Sequence, residues 1–327
     1  MDKPVRPLSF LSALLVNNDL RQWLITAARR VRAHFDGRRQ VYVLAFGTLF
    51  LGGLAISVSV LNLDLTARFA AWIVLDLIIF TPLAVLITAL GLKNNANILK
   101  RDIRLREAFT ATSAGVVAEV APVPGGLVAR GAALMSSGAK VGEAGAVLVA
   151  NSVLGMAVAV VAASIAIWAD QQLVSIVAGV VGTVAAAASV FWAVQRRSLR
   201  TGAIFAALKL AGWAVFIIRI KIALLAIGAM AGFDDLALFG VSGAFGSLAS
   251  FAPGGLGLPE GLAAVFAAVN DFSPAAAFLA MAINRLVGLA FCGGWLWAVF
   301  TLGRRDAANI SSAACAPDPA APGNIND

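Results

Sequence analysis

The sequence has little of what soluble enzymes use for chemistry. Its 327 residues include one histidine, His34, and two cysteines, Cys292 and Cys315, so neither a disulfide framework nor a zinc site is indicated. It contains no Gly-x-Ser-x-Gly nucleophile elbow and no G-x-x-x-x-G-K-S/T phosphate loop. Charged residues make up only 13% of the chain, against about 25% in soluble domains. These absences argue against a metalloenzyme, a hydrolase and a nucleotide-driven pump, and we expect no catalytic residue, no metal and no cofactor.

The chain is instead rich in apolar residues. They make up 60% of it and give a mean hydropathy of +0.89, which indicates an all-α, polytopic membrane protein. The net charge of +8 does not indicate nucleic-acid binding, because the basic residues cluster at the ends of apolar runs. Six runs have the length of a full transmembrane helix, and they comprise residues 41–63, 69–92, 143–168, 172–194, 201–230 and 274–302.

Two polar segments flank this membrane domain, which we place at residues 41–303. Residues 1–40 hold eight of the 25 basic residues in an amphipathic helical pattern, without the compact apolar core of a cleavable signal peptide. We interpret them as a cytoplasmic segment that is either a topology signal or a contact with anionic lipid. Residues 304–327 are rich in Ala, Pro, Asn and Asp, so we expect a disordered cytoplasmic tail.

Two further apolar stretches are broken by proline and glycine. Residues 108–121 would form about 21 Å of helix, too short to cross the membrane, and the break that follows contains Pro122, Pro124, Gly125 and Gly126. The break in the second stretch contains Pro253, Gly254, Gly255 and Gly257. Broken backbone is tolerated at membrane depth only where protein or a wet cavity covers it. We therefore predict two re-entrant helical hairpins, near residues 108–138 and 236–270.

The distribution of charge predicts the orientation of these hairpins. The links 64–68, 169–171, 231–235 and 270–273 together contain one basic residue and five acidic ones. The other basic residues lie on the opposite side or within the membrane, so the positive-inside rule places both termini in the cytoplasm. The first hairpin then enters from the cytoplasmic side and the second from the external side. Opposed broken elements are typical of transporters with a substrate site near the midplane.

Charged side chains inside the apolar segments are the main candidate site residues. An arginine at the bilayer centre costs about 2.5–3.5 kcal/mol, and its fork of donors matches the oxygens of a phosphate. Arg130 and Arg285 either hold a lipid phosphate or form structural pairs, Arg130 with Glu119 and Arg285 with Glu260. The hairpin glycines are expected both to permit close helix packing and to open backbone donors toward an anion.

Other charged residues have more than one interpretation. Asp76, in the second span, is either a proton relay or the buried partner of a lysine. Arg219 and Lys221 point about 200° apart on a helix, so at most one of them faces a central cavity. Lys209 is close enough to the cytoplasmic end for its side chain to reach the membrane surface.

These motifs resemble a known family over residues 41–303. The matching positions of the first stretch are Ala108, Phe109, Pro122, Gly126, Arg130 and Gly138. Those of the second stretch are Pro253, Gly254, Gly255, Leu256, Gly257, Glu260 and Arg285. The chain resembles the membrane domain of lysylphosphatidylglycerol synthases, which also occurs alone in flippase-like integral membrane proteins. It departs from the family where asparagines are usual, at Ala118 and Glu119, and where Glu is usual, at Leu127.

The resemblance implies movement of a lipid between leaflets, such as an aminoacylated or glycosylated phospholipid or an isoprenoid. The aminoacyl-transferase domain of the synthases is not expected after residue 303, so the chain is not expected to be an enzyme. We expect membrane lipids, mainly anionic ones, as partners, and a bacterial inner membrane as the location. The headgroup would enter a polar groove between the hairpins while the acyl chains stay in lipid.

Two other functions remain open. One is a non-transporting partner or scaffold of an envelope-lipid biosynthesis enzyme. The other is a membrane-embedded transferase with Glu119, Glu260 or Asp76 as base, which the short loops and the missing Asp-x-Asp metal motif disfavour. The oligomeric state is also open, with a homodimer among the alternatives.

Overall fold

The computed structural model describes residues 39–61, 67–119, 125–169, 171–248 and 257–314. This part of the chain is helical and contains no strand, as the composition predicts. The predicted amphipathic segment lies outside it except for Arg39 and Gln40. In chain order the helices are α1 (Arg39–Leu61), α2 (Ala67–Leu75), α3 (Thr81–Ile98), α4 (Leu105–Ala118), α5 (Gly125–Ser136), α6 (Val141–Ala166), α7 (Gln172–Arg196), α8 (Leu199–Ala226), α9 (Phe233–Leu248), α10 (Leu258–Val269) and α11 (Pro274–Ala314).

Five helical segments are long and apolar enough to cross a membrane, which indicates a multi-pass membrane protein. They are Ala67–Ile98, Val141–Ala166, Gln172–Arg196, Leu199–Ala226 and Pro274–Leu302. The remaining predicted span corresponds to α1, whose described apolar part, Gly47–Leu61, is shorter than these five. Five of the six predicted spans therefore have a helix of sufficient length, and the sixth stays a prediction.

A π-helical turn, Asp76–Phe80, joins α2 to α3 into one continuous segment. It lies just before Pro82, which has no N–H to donate and whose ring crowds the preceding turn. The helix widens there, and the Thr81 N–H donates to the Asp76 carbonyl five residues earlier. The segment then continues to Ile98, so the predicted boundary at residue 92 is wrong by more than one turn.

Four short helices form two pairs at the positions of the predicted hairpins. α4 packs on α5, and α9 packs on α10. Their lengths of 12 to 16 residues correspond to about 18–24 Å, less than a roughly 30 Å bilayer core. The connections, residues 120–124 and 249–256, lie outside the described part of the chain. Pro122, Pro253, Gly254 and Gly255 lie in these connections.

α11 is the central helix of the molecule. Its apolar window is 61% buried, more than that of any other candidate span. Fully buried alanines, among them Ala276, Ala277 and Ala280, let α8 and α10 pack closely against it. The helix continues to Ala314, so residues 304–314 are helical here, whereas the sequence predicts disorder from residue 304.

Candidate functional site

Two adjoining cavities lie among the four short helices, α4, α5, α9 and α10, and the long helices α3, α6, α8 and α11. The arginine cavity, of about 290 Å³, is lined by Arg130, Arg219 and Arg285 among others. The lysine cavity, of about 360 Å³, is lined by Lys209 and Arg130. Six residues line both cavities and so form their common boundary: Thr88, Glu119, Arg130, Gly212, Phe216 and Gly243.

Arg219, one of the three arginines, is fixed by protein contacts. Its Nε donates to Asp76 Oδ1 at 2.9 Å, and its Nη2 donates to Asp76 Oδ2 at 3.2 Å and to the Asn284 carbonyl at 3.0 Å. The two charged side chains are only 9% and 3% exposed. Asp76 is therefore the buried partner of an arginine, and the expectation of a lysine partner is wrong. Lys221 is exposed, so of the two basic residues only Arg219 faces the cavity.

Arg285 and Glu260 form the second ion pair of the arginine cavity. Arg285 Nε lies 2.9 Å from Glu260 Oε1, and Glu260 is 1% exposed. The other carboxylate oxygen of Glu260 accepts a hydrogen bond from the Gly257 N–H at 3.0 Å. Gly257 adopts a φ of +87°, which a residue with a Cβ rarely adopts. The local backbone thus holds the carboxylate, and the carboxylate in turn positions Arg285 at the cavity wall.

Arg130 is held much more loosely than the other two arginines. Its Nη2 lies 3.7 Å from Glu119 Oε1, which is beyond hydrogen-bond range, and the side chains are 22% and 41% exposed. Its Nε has no hydrogen-bond partner in the described part of the chain. Gly126 makes the pair possible, because a Cβ at that position would collide with the Glu119 carboxylate. The pair expected from the sequence is present, but it lies beyond hydrogen-bond distance, and no other described residue accepts a hydrogen bond from Arg130.

Lys209 faces the lysine cavity rather than the membrane surface, so the expectation of a surface position is wrong. Its Nζ lies 3.8 Å from the place where a Cβ of Gly155 would be, an ordinary contact distance, so the end of the lysine side chain lies beside α6. No carboxylate of the described residues lies within 4.0 Å of Nζ. Glu119 is the single carboxylate among the described residues that line this cavity.

Neutral polar side chains of α3 form one wall of the two cavities. Thr81, Thr88 and Asn95 are seven residues apart, which places them on one helix face. Thr81 Oγ1 and Asn95 Oδ1 are buried and have no hydrogen-bond partner among the described residues. Sequence reasoning missed this wall, although the spacing of seven within an apolar helix was a signal for it.

Aromatic side chains of α8 form another part of the lining, where they pack against glycines of α9. A Cβ on Gly240 would come within 2.7 Å of Trp213 Nε1, and one on Gly243 would come within 2.5 Å of Phe216 Cζ. The two glycines therefore leave the space that the rings occupy. Sequence reasoning also missed Trp213, since a single aromatic residue in a membrane span carries no distinctive pattern.

A third concavity, the basic crevice, lies beyond the lysine cavity. It has a volume of about 650 Å³, and its lining includes Lys93, Lys100, Arg101, Arg197 and Asp102. Leu208 borders both the basic crevice and the lysine cavity, just as Gly212 and Phe216 border both the lysine and the arginine cavities. The three concavities thus follow one another along α8, from a basic end of the molecule toward its middle.

The structure brings together most of the predicted site residues that it describes. Arg130, Glu119, Arg285 and Glu260 line the arginine cavity, and Asp76 lies behind Arg219. The predicted glycines take supporting positions: Gly125 packs against Ala118, Gly126 against Glu119, and Gly257 precedes α10. The described residues contain no group of three His, Cys, Asp or Glu side chains suited to a metal ion.

Comparisons with known proteins do not assign the chain to a class. No family model matches it, and neither a curated protein nor a solved structure matches it significantly. The conclusions below therefore depend on the geometry of the cavities and on the sequence.

Proposed function

We propose that this membrane protein binds the anionic headgroup of a lipid in the arginine and lysine cavities and moves it between the two leaflets. The phosphate contacts Arg130, and the acyl chains stay outside the helix bundle. Six spans and two opposed re-entrant hairpins, α4 with α5 and α9 with α10, make up the membrane domain that contains the cavities. Both termini are cytoplasmic, and the membrane is a bacterial inner membrane.

The observation that carries this proposal is the contrast among the three arginines. Arg219 donates three hydrogen bonds to protein, and Arg285 lies 2.9 Å from a buried carboxylate. Among the described residues, Arg130 has a 3.7 Å contact with Glu119 and no hydrogen-bond partner for its Nε, although it lies at the boundary of both cavities. A loosely paired guanidinium in an apolar protein is costly, and a phosphate that accepts bidentate hydrogen bonds offsets that cost.

The charge of the cavities also favours an anion. Four cations line them, Arg130, Lys209, Arg219 and Arg285. Three carboxylates balance part of this charge. Glu119 and Glu260 line the arginine cavity, and Asp76 pairs with Arg219 outside the lining. With all seven of these side chains ionised, one positive charge is left over, and an apolar environment strengthens its attraction for an anion.

The lengths of the short helices support the proposed topology. At about 18–24 Å, none of the four reaches across a bilayer core, so a pair that enters and leaves on one side explains them best. We also propose kinship with the membrane domain of lysylphosphatidylglycerol synthases, on the motifs around Arg130 and Glu260. The chain then acts as a carrier without a synthase domain.

The basic crevice supplies the route of entry. Its cations face the end where the positive-inside rule places the cytoplasm, and anionic headgroups concentrate at such surfaces. From the crevice a headgroup passes Leu208 into the lysine cavity and reaches Arg130 at the boundary with the arginine cavity.

Lipid scrambling in proteoliposomes tests the proposal. Vesicles contain a fluorescent phosphatidylglycerol, and dithionite bleaches the label in the outer leaflet only. The wild-type protein should let bleaching exceed half of the signal. Arg130→Ala should slow this by about tenfold or more, since a charge-assisted bidentate contact is lost. Arg106→Ala, which removes an exposed arginine at the start of α4, is the matched control and should not slow it.

The same experiment separates a carrier from a scaffold. A scaffold of a lipid-synthesising enzyme would leave half of the signal protected in wild type and would be indifferent to Arg130→Ala. That result, obtained with phosphatidylglycerol and with other anionic phospholipids, would refute the proposed function.

A further inference from the structure

The lysine cavity differs from the arginine cavity in its polar lining. Its cations are Lys209 and Arg130, and its neutral hydrogen-bonding residues are Asn95, Asn151, Ser152, Thr88 and Trp213. The side chains of Asn151 and Ser152 make no hydrogen bond to any described residue. Asn95 Oδ1 and Trp213 Nε1 are buried without a partner among the described residues. The cavity therefore combines a cationic boundary with unpaired neutral donors and acceptors.

These groups match hydroxyls better than they match charged groups. A hydroxyl both donates and accepts, so it can bond the amide oxygen and the amide N–H of Asn151 and the hydroxyl of Ser152. An apolar occupant would cover these two side chains without bonding them, and polar atoms that are buried unbonded cost free energy. The ring of Trp213 also offers an apolar face beside its polar edge, as polyols and sugars require.

Lys209 disfavours an amine in the same space. Its Nζ and the Arg130 guanidinium line one cavity, and Glu119 is the single carboxylate among the described residues of the lining. An ammonium headgroup would meet two cations against one anion. A headgroup with two negative charges is also disfavoured, because the two cavities together leave one surplus positive charge.

We propose that the lysine cavity receives the uncharged, hydroxyl-bearing part of a lipid headgroup that carries one net negative charge. This inference rests on the proposed function and names its substrate class: a phosphodiester lipid with a polyol or sugar headgroup. The phosphodiester lies between Arg130 and Lys209, and the hydroxyls bond Asn95, Asn151 and Ser152. Lipids with an amine-bearing headgroup are disfavoured, because the ammonium would lie beside Arg130 and Lys209 with Glu119 as the single carboxylate among the described residues of the lining.

Competition between lipids of equal acyl chains tests this selectivity. The purified protein in detergent is mixed with equal amounts of phosphatidylglycerol, phosphatidic acid and phosphatidylethanolamine, and bound lipid is counted by native mass spectrometry. Phosphatidylglycerol should exceed phosphatidylethanolamine by about tenfold or more, because it satisfies the surplus charge. It should also exceed phosphatidic acid, which has the phosphate but no hydroxylated headgroup.

Matched variants assign the selectivity to the cavity. Lys209→Gln should weaken phosphatidylglycerol binding by about tenfold, while Lys221→Gln, on the exposed side of the same helix, should not change it. Asn151→Leu and Ser152→Ala should remove the preference over phosphatidic acid without weakening the binding of phosphatidic acid. The wild-type competition does not depend on whether any variant folds.

The outcomes separate this inference from the proposed function. Equal binding of phosphatidylglycerol and phosphatidic acid, or preferred binding of phosphatidylethanolamine, would overturn the inference and leave the carrier intact if scrambling persists. If Arg130→Ala loses scrambling and the wild-type protein binds the three lipids without preference, the inference is likewise overturned and the carrier function is kept. An absence of both binding and scrambling would refute the proposed function itself.

Discussion

The pair of Asp76 and Arg219 should be one of the main stabilising contacts of the bundle. Arg219 donates two hydrogen bonds to Asp76 and one to the Asn284 carbonyl, so the pair connects α8 to the π-helical turn and to α11. Asp76→Ala removes two of these three bonds and leaves a guanidinium that is 9% exposed without its counter-charge. Breaking a buried pair from one side costs about 3–5 kcal/mol. We expect a loss of unfolding free energy of that size.

A double substitution distinguishes the cost of a broken pair from the value of the pair itself. Asp76→Leu combined with Arg219→Met replaces both charges by apolar side chains, and such replacements are often close to neutral. We therefore expect the double variant to be more stable than Asp76→Ala alone. Glu119→Ala serves as a control, because its half-exposed 3.7 Å pair with Arg130 should contribute at most about 1 kcal/mol.

The free energy of unfolding can be measured by titration with sodium dodecyl sulfate in mixed micelles, with tryptophan fluorescence as the signal. If Asp76→Ala changes it by less than about 1 kcal/mol, the pair is not structural in the sense argued here. Asp76 would then regain the interpretation as a proton relay. If the double variant loses as much unfolding free energy as the two single variants together, the two side chains are not coupled, which would also contradict a structural pair.

Three further predictions concern the hairpins and the cavities. Gly257→Ala should cost about 1–2 kcal/mol of unfolding free energy, because φ at this position is +87°. Gly261→Ala, whose Cβ would meet no atom within 4 Å, should not destabilise the protein. Equal effects of the two substitutions would contradict the left-handed conformation of Gly257. Gly243→Ala should push the Phe216 ring into the cavities and slow scrambling, and an unchanged rate would show that the boundary is not on the path. Glu119→Gln should tighten phosphatidylglycerol binding about fivefold, since it adds to the surplus charge; weaker binding in native mass spectrometry would refute this.

The sequence alone could predict the helical class and most spans. An uninterrupted apolar run of sufficient length fits the bilayer, and a helix satisfies its own backbone hydrogen bonds there. The sequence could also predict the partners of Arg130 and Arg285, since buried charges need partners. The second span was predicted too short because it was ended before Lys93, although a helix can carry a lysine side chain to the membrane surface.

Contacts across the bundle were harder to predict. Asp76 was expected to pair with a lysine, but Arg219 lies 143 residues away, and no local pattern specifies which helix face meets which. Lys209 was placed at the membrane surface from its position along the chain alone. Its side chain instead lies beside Gly155 of α6, and such contacts between distant segments have no signature in one sequence.

The most direct test of the central claim is to locate the headgroup. A phosphatidylglycerol analogue with a photoreactive headgroup is irradiated with the protein in proteoliposomes, and the adducts are mapped by peptide mass spectrometry. The account predicts adducts between Ile87 and Asn95 of α3 and near Lys209 of α8, which Arg130→Ala reduces and Arg106→Ala does not. Adducts confined to exposed residues of α7, such as Val180 and Val184, and unaffected by Arg130→Ala, would contradict it.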